Sequence, residues 1–239
     1  MNQFFLFLVL MMCSIVAARE PVSVLIVTGG HDFERTAFFA MFAEMKGIQF
    51  TSVEHPLANA ALDTGSLANY DVLLFYDMNQ SIDEDHKSGF ISLIKNGKGL
   101  VFLHHSLASY QEWDEFSKIR GGKYILPESL LPEQQAKAST YQHDVQVHVK
   151  IIEPDHPVCR GLSDFVLLDE VYGGYQIFPF VTPLLKTNHP LSNAVIAWSH
   201  VWERSRIVFI QPGHDHHAFE NSNYRKMVEN AINWTADRE

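Results

Sequence analysis

Gly99-Leu100-Val101-Phe102-Leu103-His104-His105-Ser106 is the stretch from which the fold can be read. Four apolar residues follow a glycine, too few for a helix and rich in Val, Leu and Phe, as in a central strand buried on both faces. Polar chemistry begins abruptly at its end. In an open parallel sheet the carboxyl ends of the strands are where ligands bind, so His104 and His105 are expected to form the floor of a site. The competing reading of either residue is a core histidine hydrogen-bonded to backbone.

The flanking segments follow the same grammar. Residues 22–27 are apolar and predict a first strand, ending in Thr28-Gly29-Gly30-His31-Asp32, where glycine permits a tight turn. Residues 34–46 place apolar side chains at 37, 38, 41, 42 and 45, one face of a helix that Gly47 stops. Gly29-Gly30-His31 has neither the three-glycine dinucleotide pattern nor a Walker lysine, which leaves nucleotide binding without support. Residues 48–53 and 71–77 predict two more strands, the latter ending at Asp77. Ser81 and Glu84 have capping-box spacing and open a helix to about Asn96. This succession is that of a doubly wound α/β sheet.

Beyond His105, residues 106–116 are expected to be helical, with Trp113 either packed in the core or a flat platform for a sugar ring. Residues 127–142 are polar and punctuated by proline, as in a long loop over the site. Residues 143–152 alternate, with Val145, Val147, Val149 and Ile151 on one face, and suggest a more antiparallel second half of the sheet. His156 belongs to a turn that it shapes. In Asp169-Glu170-Val171-Tyr172, Glu170 and Tyr172 fall on the same side of an extended chain. They form an acid/base and hydrogen-bonding pair or, on the plainer reading, Glu170 is a surface acid. Short strands follow at 182–187, 194–198 and 206–210, the last running into Gln211-Pro212-Gly213-His214-Asp215-His216-His217. Residues 224–234 close as an amphipathic helix whose stripe of Tyr224, Met227, Val228, Ala231 and Ile232 is core.

The bulk numbers set bounds. A chain of 239 residues, 46% hydrophobic, has room for one sizeable domain, residues 19–239, with a full core. With 18 Lys and Arg against 28 Asp and Glu, the net charge of -10 makes nucleic acid and anionic membrane surfaces poor partners. Residues 4–16 are almost uninterruptedly apolar, shorter than the roughly 20 residues that span a bilayer, and Val16-Ala17-Ala18 offers a cleavage site. Residues 1–18 thus read as a signal peptide of an exported, periplasmic or extracellular protein with no membrane association after cleavage, the alternative being an uncleaved anchor, since only the α-amino group supplies positive charge ahead of the run. Its removal leaves Cys159 as the sole cysteine, so no intrachain disulfide forms, and Cys159 reads as a small buried apolar group.

Four polar strand ends converge in this scheme: Gly30-His31, Asp77, His104-His105 and Gly213-His214. At this point the sequence resembles the trehalose-utilisation (ThuA-like) family. The matching pieces are Gly29-Gly30-His31, Gly99 to His105, His156-Pro157 with Gly161-Leu162, Asp169-Glu170-Val171-Tyr172, Ala197-Trp198 with Arg206-Ile207-Val208-Phe209, Gly213-His214 and Asn233-Trp234. The resemblance implies a flavodoxin-like, mostly parallel central sheet flanked by helices, related to class I glutamine amidotransferases. Those enzymes carry a cysteine at the turn where this chain has His105, so thiol-based glutaminase chemistry lacks its nucleophile. It also implies a carbohydrate ligand, since family members are associated with uptake and processing of disaccharides, including keto-sugars made by partner oxidoreductases. Some members are labelled glycosyl hydrolases. The chain departs from the family after Gly121-Gly122, where members often have a histidine and Lys123-Tyr124-Ile125-Leu126-Pro127 stands here.

The expected function is sugar processing, as hydrolase, isomerase or lyase, with His105 and Glu170 as acid/base groups. His31, Asp77 and His214 would orient them or the substrate, and His104, Trp113 and Tyr172 would contact the sugar. A two-carboxylate glycosidase would have to use Asp77 and Glu170. A divalent metal held by imidazoles of His31, His104, His105 and His214 is a variant of this expectation. The alternative from another class is a non-catalytic carbohydrate-binding or complex-forming protein that keeps an amidotransferase-like shell. A homo-oligomer is compatible with either reading.

Overall fold

The structure, a computed structural model, describes residues 20–61 and 66–238. The expected signal peptide at 1–18 lies outside the described residues. The first half of the chain alternates strand and helix: β1 (Val22–Gly29), α1 (Arg35–Ala43), β2 (Ile48–Glu54), α2 (Leu57–Ala61), β3 (Val72–Asp77), α3 (Glu84–Lys95) and β4 (Gly99–Leu103). A helix α4 (Asp114–Arg120) and a two-residue strand β5 (Gly122–Lys123) lead to the long strands β6 (Thr140–Ile151) and β7 (Phe165–Gly173). The chain ends with β8 (Gln176–Ile177), β9 (Thr182–Lys186), β10 (Val195–Trp202), β11 (Ser205–Ile210), α5 (His216–Phe219) and α6 (Ser222–Thr235).

Nine strands form one sheet in the order β2-β1-β3-β4-β11-β10-β9-β6-β7. From β2 to β11 every pair is parallel, and from β11 to β7 every pair is antiparallel. The mostly parallel core expected from the apolar runs and the antiparallel extension expected from the alternating ones are therefore joined edge to edge. Period-2 geometry sorts the central strand between two layers. Val101 and Leu103 pack with the buried faces of α1 and α6, and Leu100 and Phe102 with those of α3 and α4. Both sides are covered, which is why β4 reads as a continuous apolar run.

Local expectations fail where tertiary bonds replace helical ones. The segment 106–116 is not a helix: His104–Ala108 form a 3-10 turn, and Tyr110 takes φ 52°, with its N–H donating to the Asn79 carbonyl. The first regular helical turn comes only at Asp114. The Ser81 cap is also corrected, because Asp83 caps α3, accepting the His86 N–H at 2.9 Å. The expected loop at 127–142 contains two 3-10 turns, Pro127–Ser129 and Pro132–Lys137, before β6 begins at Thr140.

Candidate functional site

The parallel strands bring the carboxyl ends of β1, β3, β4 and β11 to one edge of the sheet. A cavity of about 530 Å³ opens there. His31, His105, His143 and Glu170 are its imidazole and carboxylate wall groups, and Met78 with Tyr124, Tyr141 and Tyr172 supplies apolar and aromatic surface. The two ends of the 127–142 segment border it through Pro127, Ser139 and Thr140.

The strand β4 turns sharply into the site because His104 adopts φ 50°, in the left-handed region where a non-glycine residue is strained. This turn sends the His104 and His105 rings in different directions, nearly perpendicular to each other. His105 is 4% exposed, stacks on His31 with ring centroids 4.7 Å apart, and lies 4.2 Å from the Tyr76 ring. Its Nε2 is buried without a hydrogen-bond partner among the described residues. Burial, with the neighbouring His104 and His31 rings adding to it, holds the His105 pKa well below the usual imidazole value.

His104 points inward instead. Its Nδ1–H donates to the Gln211 carbonyl at 2.8 Å. Its Nε2 lies 2.9 Å from Glu170 Oε2, 2.9 Å from the Tyr172 hydroxyl and 3.3 Å from His214 Nδ1. His214 Nδ1 is in turn 3.3 Å from Glu170 Oε2, and His143 Nε2 is 3.4 Å from Glu170 Oε1. Burial pushes the Glu170 carboxyl up, but the hydrogen bonds of His104 and His214 outweigh it and leave it below the usual carboxylate range. The same contact with Glu170 raises the His214 pKa.

Glu170 and Tyr172 sit on β7, the far edge of the sheet, yet reach the end of β11. Asp169 makes this closure. Its buried carboxylate accepts the N–H groups of Gly213 at 2.8 Å, His214 at 3.0 Å and Glu170 at 2.8 Å. The Gln211 amide adds a bond to the Glu170 carbonyl at 2.9 Å.

The structure thus brings together His31, His105, Glu170 and Tyr172 on the wall, with His104 and His214 behind Glu170. Asp77 lies elsewhere. It is fully buried, accepting hydrogen bonds from the Ser109 hydroxyl at 3.1 Å and from His55 Nε2 at 3.1 Å, and takes no place on the cavity wall. Trp113 also points away, stacked on Phe116 at 5.3 Å and packed in the layer under α3 and α4, so it is core and no platform at this cavity. His143 and Asp169 are the additions that sequence reasoning missed. Strict alternation from Val145 would set His143 on the same face as the core valines. A break in the β6–β7 register between Gln142 and Val145, with Asp144 at φ 57°, frees it from that pattern.

Among the described residues, two groups of side chains have donor atoms close enough to share a metal ion: His104, Glu170 and His214 within the site, and Asp215, His216 and His217 nearer the surface. His31 and His105 belong to neither.

The model of the family described as ThuA, trehalose utilisation, matches residues 23–235. No curated protein matches this chain in sequence. Among solved structures, a ThuA-like protein from Parabacteroides merdae superposes with TM-score 0.76 at 16% identity, covering 91% of this chain and 90% of its own. A ThuA-like protein from Bacteroides uniformis gives 0.67 at 20% identity, covering 92% and 93%. A β-galactosidase from the haloarchaeon Halorubrum lacusprofundi shares the fold over 92% of this chain but 31% of its own, with TM-score 0.57 and 10% identity.

Proposed function

This chain belongs to the ThuA family of trehalose utilisation, and from that premise we propose that its cavity binds a small carbohydrate, a disaccharide or its keto derivative, and moves protons on it. Membership gives the carbohydrate-related role. The chemistry comes from the cavity wall, and one observation carries it: the buried, unpartnered Nε2 of His105 borders the same cavity as Glu170 and Tyr172. A free imidazole nitrogen can accept a proton from a sugar hydroxyl or from a carbon beside a carbonyl. On the wall of the same cavity, Glu170 and the Tyr172 oxygen can accept hydrogen bonds from a ligand hydroxyl, so a ligand oxygen can be held while the proton moves. A volume of about 530 Å³ suits a ligand of that size, and the tyrosine faces suit the apolar faces of a sugar ring.

Isomerisation or β-elimination of a keto-sugar needs one such base and a held oxygen. Two-carboxylate hydrolysis needs a second acid, and among the described residues lining the cavity Glu170 is the sole carboxylate. His31, stacked on His105, keeps that ring in place, and His214 does the same for Glu170. The apolar run at residues 4–16 supports export of the chain to the periplasm or beyond.

The test is product analysis by mass spectrometry and NMR with disaccharides, trehalose among them, and their 3-keto forms. The parent protein is expected to convert one of them, and His105→Ala to lose roughly hundredfold or more in kcat while still binding. Full turnover by His105→Ala would overturn the assignment of the base. Tight sugar binding with no product from the parent would replace catalysis by a carbohydrate-binding role.

A further inference from the structure

We infer that His104 Nε2, Glu170 Oε2 and His214 Nδ1 form a binding site for one divalent transition-metal ion of the zinc class. The three donor atoms are separated by 2.9, 3.3 and 3.3 Å. Ligands at zinc-like bond lengths of roughly 2.0–2.1 Å in a tetrahedral arrangement stand about 3.3 Å from one another. The side chains are therefore already spaced as three corners of such a polyhedron. Two imidazoles and one carboxylate are also a donor set that first-row divalent ions accept in catalytic centres.

Hydrogen bonding alone explains the cluster less well. The Nδ1–H of His104 is committed to the Gln211 carbonyl, and its single remaining nitrogen faces Glu170 Oε2, the Tyr172 hydroxyl and His214 Nδ1, all at 2.9–3.3 Å. One nitrogen cannot serve three partners at once, whereas a cation among them satisfies the nitrogen, the carboxylate and the second imidazole together. The bond from Nδ1–H to a backbone carbonyl is the outer contact that fixes a ligating histidine and leaves Nε2 as the donor. Asp169 performs that service for the other two ligands by gripping the backbone N–H groups of Glu170 and His214. The strained φ of 50° at His104 is then the local cost of aiming this ring at the common point.

Glu170 and Tyr172 border the cavity, so an ion held here would act on a bound ligand as a Lewis acid, polarising a hydroxyl or carbonyl oxygen. This goes beyond the proton transfer assigned to His105 and can fail or hold independently of it.

The experiment is zinc titration of chelator-stripped protein by calorimetry, paralleled by Co²⁺ titration followed in visible absorption. One equivalent of each ion is expected, with a cobalt spectrum typical of four- or five-coordinate nitrogen and oxygen ligation. Glu170→Gln and His214→Ala should each weaken zinc binding by at least the roughly hundredfold that loss of an outer-shell partner can cost. The half-exposed His214 gives a variant that folds even if the buried Glu170→Gln does not. His216→Ala/His217→Ala should leave this binding unchanged, which separates it from the outer group of donors. Absence of stoichiometric zinc binding overturns the inference, as does binding that survives Glu170→Gln and His214→Ala but disappears with His216→Ala/His217→Ala. His105 is in neither donor group, so His105→Ala is expected to bind zinc as the parent does, and its loss of turnover reports on the acid/base reading alone.

Discussion

Asp169 shows how much of the site depends on a residue that lies outside the cavity wall. A fully buried carboxylate accepts three backbone N–H groups, from Glu170, Gly213 and His214, and so fastens the end of β7 to the end of β11. Asparagine keeps the shape but has one acceptor oxygen, and its amide would face an N–H. Hydrogen bonds to a charged group are worth more than neutral ones, and a buried N–H left unpaired carries its full desolvation penalty. Asp169→Asn is therefore expected to lower stability by about 2 kcal/mol in urea unfolding, with an unchanged denaturant slope. It should also weaken whatever binds at Glu170 and His214. Unaltered stability would mean that the edge strand is held by its ladder with β6 alone. Asp169 was invisible as a functional residue because two of its three partners lie 44 and 45 positions away, beyond anything a local pattern encodes.

At the scale of elements, legibility followed burial. Strands β1, β3, β4 and β11 lie buried in the sheet interior, and their apolar runs give them away within a residue or two. The β6 strand was equally readable from its alternation, but its bulge was not, and the bulge is what brings His143 to the cavity. The segment after His105 misled because its backbone groups bond to distant loops, as Tyr124 N–H does to the Leu107 carbonyl, rather than up a helix. The connection from β11 to α5 makes the strictest demand on sequence. Gly213 has φ 124°, and a Cβ there would collide with the Tyr224 hydroxyl on α6, while the Tyr76 hydroxyl donates to the Gly213 carbonyl. Gly213→Ala should therefore cost about 2–3 kcal/mol through strain and overpacking, and should displace His214 from Glu170. Thermal unfolding with a crystal structure or NMR of the variant checks both; a near-neutral change would show that α6 yields easily.

For the whole molecule, the site lies where a parallel sheet puts it, and that much could be read from strand ends alone: His31, His104, His105 and His214 all follow β-strands. What could not be read from them is the folding back of the antiparallel half, which contributes Glu170, Tyr172 and His143, or the pairing of Asp77 with Ser109 and His55 in a separate buried network. The same antiparallel half makes global stability sensitive to acid. His200 on β10 is 7% exposed, and burial pushes its pKa down to about 4. Above pH 6.5 the ring is neutral in folded and unfolded chains alike and contributes no pH dependence. Between pH 6.5 and 4 the unfolded chain takes up a proton that the folded one refuses, so stability falls by about 1.4 kcal/mol per pH unit, roughly 3 kcal/mol in all. Phenylalanine fills the site beside Phe180, 5.4 Å from the His200 ring, without titrating. Urea unfolding of the parent and His200→Phe across this range should give stabilities that diverge as pH drops, the variant resisting acid better. Parallel curves would mean that the folded protein opens far enough at β10 to let His200 take its proton from water.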